Sequence, residues 1–580
     1  MVSKEKYHFT EVFIVRISTP AIFSYFVIVS AVLFIPFLGN VHLFDWDEIN
    51  FAEAAREMIV SGDYLRVQID HAPFWEKPPL FIWLQAISMN VFGVNEFAAR
   101  FPNALIGIAT IAVLFWTGLT FFDRKVAIFW SSVYIASLLP HFYFKSGIID
   151  PLFNLCIFTT FVVYAYYHRK AKESPKKPYQ LLALMGAMCG LAVLTKGPVG
   201  YLLFILPLTI VSVWRIIKKE TTIINFLIEG TIATLATIAM CSLWYGTEIL
   251  VNGPWFMEQF IQYQIRLLTT GDAGHSGPFF YHAVVLLIGC FPASIFFFSS
   301  LRIKDNEELS DNQTLFHRLM LVLFLVVLIL FSIVKTKIVH YSSMAYFPVT
   351  FFAALTLTKL IDKKIEWKTH YTWLLFSIGL LLTTLFAALP WIGLNASWLQ
   401  QYIRDRFARE NLNALVDWTG VEFAVAGMFL LTIISTYVCS KKEKIFQAIS
   451  TLLIGSTISI AMFLPLLAPK IEAYSQRAAI EFFQSVKDSN CFVEVYGYKS
   501  YADLFYTQKK RWQTTTESFR KTSLTFEQWL LYGEIDRPVY FVSKITNTDL
   551  FSVPGMKLLY SKNGFLFFKR EPPFSLRKNQ

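Results

Sequence analysis

Apolar residues along this chain gather in long runs, separated by short polar stretches or by Pro and Gly. Thirteen runs stand out, near residues 21–39, 97–122, 125–140, 151–168, 179–195, 199–216, 224–246, 279–299, 316–334, 339–360, 371–393, 420–439 and 447–468. Most are about 17–23 residues long, the length at which a helix crosses a hydrocarbon core of roughly 30 Å. The run at 125–140 is short, and a further apolar stretch at 79–93 reads as a helix lying in the membrane interface. The first run is too long for the apolar part of a signal peptide and lacks a small-residue cleavage site, so it reads as a retained helix. The pattern predicts a mainly α, polytopic membrane protein of about thirteen transmembrane helices.

The loops give this count an orientation. Every second loop is basic: Arg169-Lys170-Ala171-Lys172 with Lys176-Lys177, Arg215 with Lys218-Lys219, Lys363-Lys364, and Lys441-Lys442 with Lys444. An inside N-terminus puts all of them on the cytoplasmic face, as positive-inside biasing requires. An odd number of spans then puts the C-terminus outside. After about residue 470 the long runs stop and the pattern turns mixed. Cys491–Tyr498 and Val539–Ser543 read as buried strands, and Leu558–Lys569 as a hairpin around Lys562-Asn563-Gly564. The expected organisation is a transmembrane catalytic domain over 1–469, with its first extracytoplasmic loop and interfacial helices at 41–96, and a small soluble α/β domain over 470–580.

Composition sharpens the class. Of 580 residues, 55% are hydrophobic and 16% charged, and mean hydropathy is +0.48. Soluble domains average roughly 45–50% apolar and about 25% charged. The net charge of +11 resides in short loops between apolar runs. It therefore reports membrane orientation and gives no reason to expect a nucleic-acid partner. The six cysteines, at 156, 189, 241, 290, 439 and 491, have neither metal-ligand nor redox spacing.

With the topology set, charges on the outer face become informative. The first outer loop carries Asp45-Trp46-Asp47-Glu48, Ala55-Arg56-Glu57, Ser61-Gly62-Asp63 and Glu76-Lys77-Pro78-Pro79. Residues Glu48 to Val60 suit a helix lying in the interface, its charges turned away from the apolar face. Asp47 and Glu48 would sit at its N-terminus, as reactive carboxylates or as ordinary caps. Asp150, in Gly147-Ile148-Ile149-Asp150-Pro151, stands at the outer mouth of a span, where an ionisable group faces a cavity or caps its helix. Lys196, Lys335, Lys337, Lys77 and Arg266 break the positive-inside pattern. Gathered at one face they make a pocket for an anionic head group; singly they snorkel at helix ends. An outer carboxylate pair beside a basic pocket suits group transfer from a lipid phosphate.

At these residues the chain resembles a known superfamily. Trp46-Asp47-Glu48, Phe51-Ala52-Glu53, Ala55-Arg56-Glu57-Met58, Ser61-Gly62-Asp63 and Phe74-Trp75-Glu76-Lys77-Pro78-Pro79-Leu80 carry the likeness, followed by Phe92-Gly93 and Glu96-Phe97-Ala98-Ala99-Arg100. So do Leu194-Thr195-Lys196-Gly197-Pro198, the stretch from Gly271 through His275 to Phe279, and Lys335 to Pro348. Over residues 40 to 350 it is similar to the aminoarabinose transferase and protein O-mannosyltransferase-like membrane glycosyltransferases of the GT-C fold.

The resemblance implies an inverting transferase of the inner membrane that takes a sugar from a polyprenyl-phosphate carrier at the outer face. It implies Asp47 as the principal catalytic carboxylate and Asp150 as the second acid. Lys77, Arg266, Lys196, Lys337 and Tyr341 would hold the donor phosphate, with Glu48 and Glu76 as further polar groups. It leaves open a divalent-metal or polar structural site at Glu76 and His275; His275 reads equally as a hydrogen-bonded loop residue. The chain departs from the family at Asn50-Phe51, where a Tyr usually stands near the Asp-Glu pair. The implied partners are the lipid-linked donor, surrounding membrane lipids, and a lipid or glycan acceptor such as lipid A, or an exported protein. A transporter or flippase of lipid-linked sugar is the rival from another class. Transporters bind near the midplane between repeated halves, whereas here the charges collect at one face and no repeat is visible.

Overall fold

The computed structural model describes residues 17–269, 277–302, 309–520 and 522–573. Among them, nine helices are long and apolar enough to cross a membrane. Two further apolar helix pairs are sharply bent: Arg124–Ala136 turns by 79° into Leu138–Lys145, and Tyr281–Gly289 by 107° into Ala293–Ser300. Pro140 lies in the first turn after one bend and Pro292 inside the other, positions where a residue without an N–H is tolerated. Thr19–Phe34 is shorter, and Asp150–Glu173 ends in a charged turn. With these two, every apolar run of the sequence has its helix, and the chain is a multi-pass membrane protein.

The basic loops share one end of the bundle. Lys172 donates to Asp311 at 2.5 Å, Arg318 to Glu220 at 2.8 Å, and Lys125 pairs with Asp362. A helix of 24 residues such as Asp150–Glu173 is about 36 Å long, so the opposite end lies a membrane thickness away. Asp150, Lys196 and His340 stand there. Ile445–Leu466 makes the same crossing, from Lys444 at the basic end to Phe463 and Leu464 in the wall of a large cavity.

The first outer loop departs from expectation. Its helix, Asp47–Ser61, does not lie in the interface with its charged face in water. Every residue from Glu48 to Met58 is buried. Leu80–Phe92 packs on one side of it, while the C-terminal region approaches the other through Lys509, whose backbone carbonyl accepts from Arg56 at 3.0 Å. Gly62, left-handed at φ +73°, ends the helix.

After the last long helix, Arg477–Val486 precedes a four-stranded sheet. Its strands are β1 (Phe492–Tyr496), β2 (Val539–Lys544), β3 (Met556–Lys562) and β4 (Phe565–Arg570), in the order β1-β2-β4-β3. β1 and β2 run parallel and the remaining pairs antiparallel. Asn563 and Gly564 both adopt positive φ, 48° and 79°, as a tight two-residue hairpin turn demands. The helix covers one face through Phe482, 4.8 Å from Phe567; Trp529, Phe541 and Phe568 fill the other.

Candidate active site

The end of the bundle away from the basic loops holds a cavity of about 840 Å³. Its wall is drawn from the first loop (Asp45 to Glu48, Asn50, Glu76, Lys77), from the helix ends at Asp150 and Lys196, from Tyr263, Arg266, His340 and Tyr341, and from Lys499 and Tyr501 of the C-terminal region.

Helix ends decide which charges face it. Asp47 opens the Asp47–Ser61 helix and Asp150 opens Asp150–Glu173, where the positive end of the dipole favours a carboxylate. Lys196 closes Tyr179–Lys196, where the dipole favours a cation. Gly197 follows at φ +95°, and a Cβ there would come within 2.3 Å of the Phe260 ring, so only glycine ends the helix this way.

These groups form a chain. Lys196 Nζ donates to Asp150 Oδ1 at 2.5 Å. His340 Nε2 stands 3.8 Å from Asp150 Oδ2 and 3.4 Å from Asp47 Oδ2. The Asp150 side chain is 3% exposed and the Asp47 side chain 37%. Asp47 is therefore the carboxylate open to the cavity, and Asp150 the buried one that pairs with Lys196 and faces His340. Lys196 also lies 5.0 Å over the Tyr341 ring. Lys77 and Arg266 each lie 5.2 Å from the centre of Tyr263, gathering two cations at one aromatic ring.

Glu48, next to Asp47, has another task. Its carboxylate accepts from Arg100 Nη2 at 2.7 Å and Nε at 3.1 Å, and from the N–H groups of Phe44 at 2.9 Å and Gly147 at 2.6 Å. Burial pushes its pKa up, but Arg100 and the two backbone donors outweigh that and hold it below the usual range. Glu48 ties the first loop to the turn before Asp150, and so fixes the two aspartates relative to each other.

Lys337 does not line the cavity. Its ammonium donates to the carbonyls of Phe331, Ser332 and Val334 at 2.9, 2.7 and 2.6 Å. It satisfies the open end of Asp311–Ile333, with all three donors used, and is no phosphate ligand in this arrangement. Glu76 lines the cavity, while His275 falls outside the described residues. Among those described, no three His, Cys, Asp or Glu side chains converge in a way that would hold a metal ion.

Sequence reasoning passed over four groups in the wall. His340, the link between the aspartates, was visible only as a neighbour of Tyr341. Tyr263 lacks any motif that marks it. Asp45 accepts from Ser500 Oγ and from the Tyr501 N–H at 3.2 Å, and Lys499 lies 4.7 Å over Trp46. No local pattern could have joined positions so far apart.

Comparison with known proteins agrees with this architecture. Residues 23–246 match the family model for dolichyl-phosphate-mannose-protein mannosyltransferase. A curated relative, the undecaprenyl phosphate-alpha-4-amino-4-deoxy-L-arabinose arabinosyl transferase of Pectobacterium carotovorum subsp. carotovorum (strain PC1), is 25% identical over 362 residues, 62% of this chain and 63% of the relative. The enzyme of the same description from Photorhabdus laumondii subsp. laumondii is 26% identical over 296 residues, 51% of this chain and 52% of the relative. The match thus spans less than two thirds of the length of these relatives. The crystal structure of ArnT from Cupriavidus metallidurans bound to undecaprenyl phosphate superposes with a TM-score of 0.73 at 17% identity, covering 95% of this chain and 98% of that one. The chain has the GT-C membrane-glycosyltransferase fold and resembles the aminoarabinose transferases, and the segment that resembles the protein mannosyltransferase family, residues 23–246, carries Asp47, Asp150 and Lys196.

Proposed function

We propose that this protein is an inverting glycosyltransferase that moves a monosaccharide from a polyprenyl-phosphate donor to a lipid or glycan acceptor of the lipid A kind. The observation that carries the reading is the chain Asp47–His340–Asp150–Lys196 opening on one cavity beside Lys77 and Arg266. Lys77, Lys196 and Arg266, with Tyr341, bind the donor phosphate. Asp47 takes the proton from the acceptor oxygen as that oxygen bonds to the anomeric carbon. The anomeric carbon–oxygen bond breaks, and its electron pair leaves on the phosphate, where the cations stabilise it. Asp150 holds Lys196 and His340 in place. The Glu76 carboxylate is a polar group of the wall, and no step is assigned to a metal.

The active cavity faces the periplasm, across the inner membrane from a cytoplasmic N-terminus. The basic loops at the opposite end of the bundle support this side assignment. Residues 1–469 form the membrane domain and 470–580 an exported domain. The test is direct: purified protein in nanodiscs, given undecaprenyl-phosphate aminoarabinose and lipid A, should transfer the sugar, and Asp47→Asn should bind donor without turnover. Normal turnover by that variant would remove the reading.

A further inference from the structure

One cation in the cavity wall comes from neither the bundle nor the first loop. Lys499 lies in the turn after β1, in Gly497-Tyr498-Lys499-Ser500-Tyr501. The turn is built for its place. Gly497 stands at φ +76°, and a Cβ there would meet Asn547 at 2.1 Å. Ser500 Oγ and the Tyr501 N–H both donate to Asp45, two residues before Asp47. Lys499 Nζ is held 4.7 Å over the Trp46 ring and 5.4 Å over the Tyr501 ring. Among the described residues, no carboxylate pairs with it.

This cation stands apart from the others. Lys77 and Arg266 share Tyr263, and Lys196 has Asp150 and Tyr341. Lys499 shares neither ring nor carboxylate with them. A lysine resting on an indole face at the edge of a cavity has donors to spare for a ligand. Lys499 is thus a cation brought to the cavity by the C-terminal region, beside Trp46 at the start of the Asp47–Ser61 helix. On the transferase reading given above, the Lys77, Arg266 and Lys196 set belongs to the donor phosphate, which leaves Lys499 without a substrate group.

We propose that Lys499, assisted by Tyr501, binds a negatively charged group of the acceptor, and that the C-terminal region thereby selects the acceptor and positions it against Asp47. The proposal rests on the transferase reading. Lys499 is a positioning residue: the acceptor proton still passes to Asp47 and the leaving electron pair to the donor phosphate.

The experiment uses the full chain in nanodiscs and two probes, undecaprenyl phosphate and bis-phosphorylated lipid A. Lys499→Met keeps an unbranched apolar stem on Trp46 and removes the charge. It should weaken lipid A binding, and raise the KM for lipid A, about tenfold. Undecaprenyl phosphate affinity should stay within about twofold, and Lys499→Arg should restore lipid A binding. Lys77→Met should do the reverse, weakening undecaprenyl phosphate alone. Unchanged lipid A affinity in Lys499→Met, loss of both probes together, or wild-type protein that ignores lipid A would each overturn the proposal. Should Lys499→Met fail to fold, Lys499→Gln carries the same comparison. Failure of the transferase reading would look different: wild-type protein would move no sugar from the glycosylated donor, whatever lipid A binding does.

Discussion

The Asp47–Ser61 helix begins and ends in opposite electrostatic worlds. At its start Asp47 is over a third exposed, with one imidazole nearby and room for a substrate. Two turns on, Glu53 and Glu57 are fully buried and Arg56 is 2% exposed. Arg56 grips Glu53 through Nε at 2.7 Å and Nη2 at 2.5 Å, and Glu57 accepts from the His71 N–H at 2.9 Å. Burial first, and then the neighbouring Glu53, push the Glu57 carboxyl up to about 9. The back of the helix is thus a sealed polar seam under the C-terminal region, and its front opens on the cavity. One helix can present an exposed carboxylate firmly because the turns behind it are locked.

Substitutions can break that contrast. Asp47→Asn should lower sugar transfer by about 10²–10⁴-fold with little change in melting temperature; a turnover assay beside a thermal melt reads both. Arg56→Met should do the opposite. It leaves Glu53 buried without its partner, costs about 3–5 kcal/mol, and appears as lost folded yield and lowered Tm. A variant melting like the wild type would show that the seam is wet.

Lys337→Met leaves three helix-end carbonyls without their donor and should cost about 1–3 kcal/mol of stability. Affinity for undecaprenyl phosphate should not change, and a large fall would return Lys337 to the donor site. The pH-dependent effect belongs to Glu57. Its folded pKa lies above its ordinary value of 4.5, so the folded chain keeps a proton that the unfolded chain releases. The stabilisation is complete below about pH 4.5 and is lost as pH rises towards about 9. Glu57→Gln should accordingly gain stability over wild type at pH 8 and almost nothing near pH 4, measured as paired melts.

The spans were legible because lipid leaves the backbone one main solution, so each apolar run has to be a helix. Asp47, Asp150, Lys77, Lys196 and Arg266 were legible as charges in the loops and run ends away from the basic loops. Lys337 was misread from the same signal. A lysine just past a helix end can point into a cavity or curl back on its own helix, and residue type and spacing are identical in the two cases. The first-loop helix was misjudged for a related reason. Its alternating charges suggested a wet face, but sequence cannot show that another part of the chain, over 400 residues away, covers that face.

The sequence by itself determined the helices, the side of the bundle on which basic loops collect, the strands and hairpin of the C-terminal region, and the opposite end, where the candidate charges gather. These follow from local periodicity and from the cost of burying charge in hydrocarbon. Tertiary structure alone decided that His340 stands between Asp47 and Asp150, that Glu48 locks with Arg100, and that Lys499 reaches the cavity. Those pairings join distant segments, and only the packed chain brings their atoms within the few ångströms over which hydrogen bonds and ion pairs act.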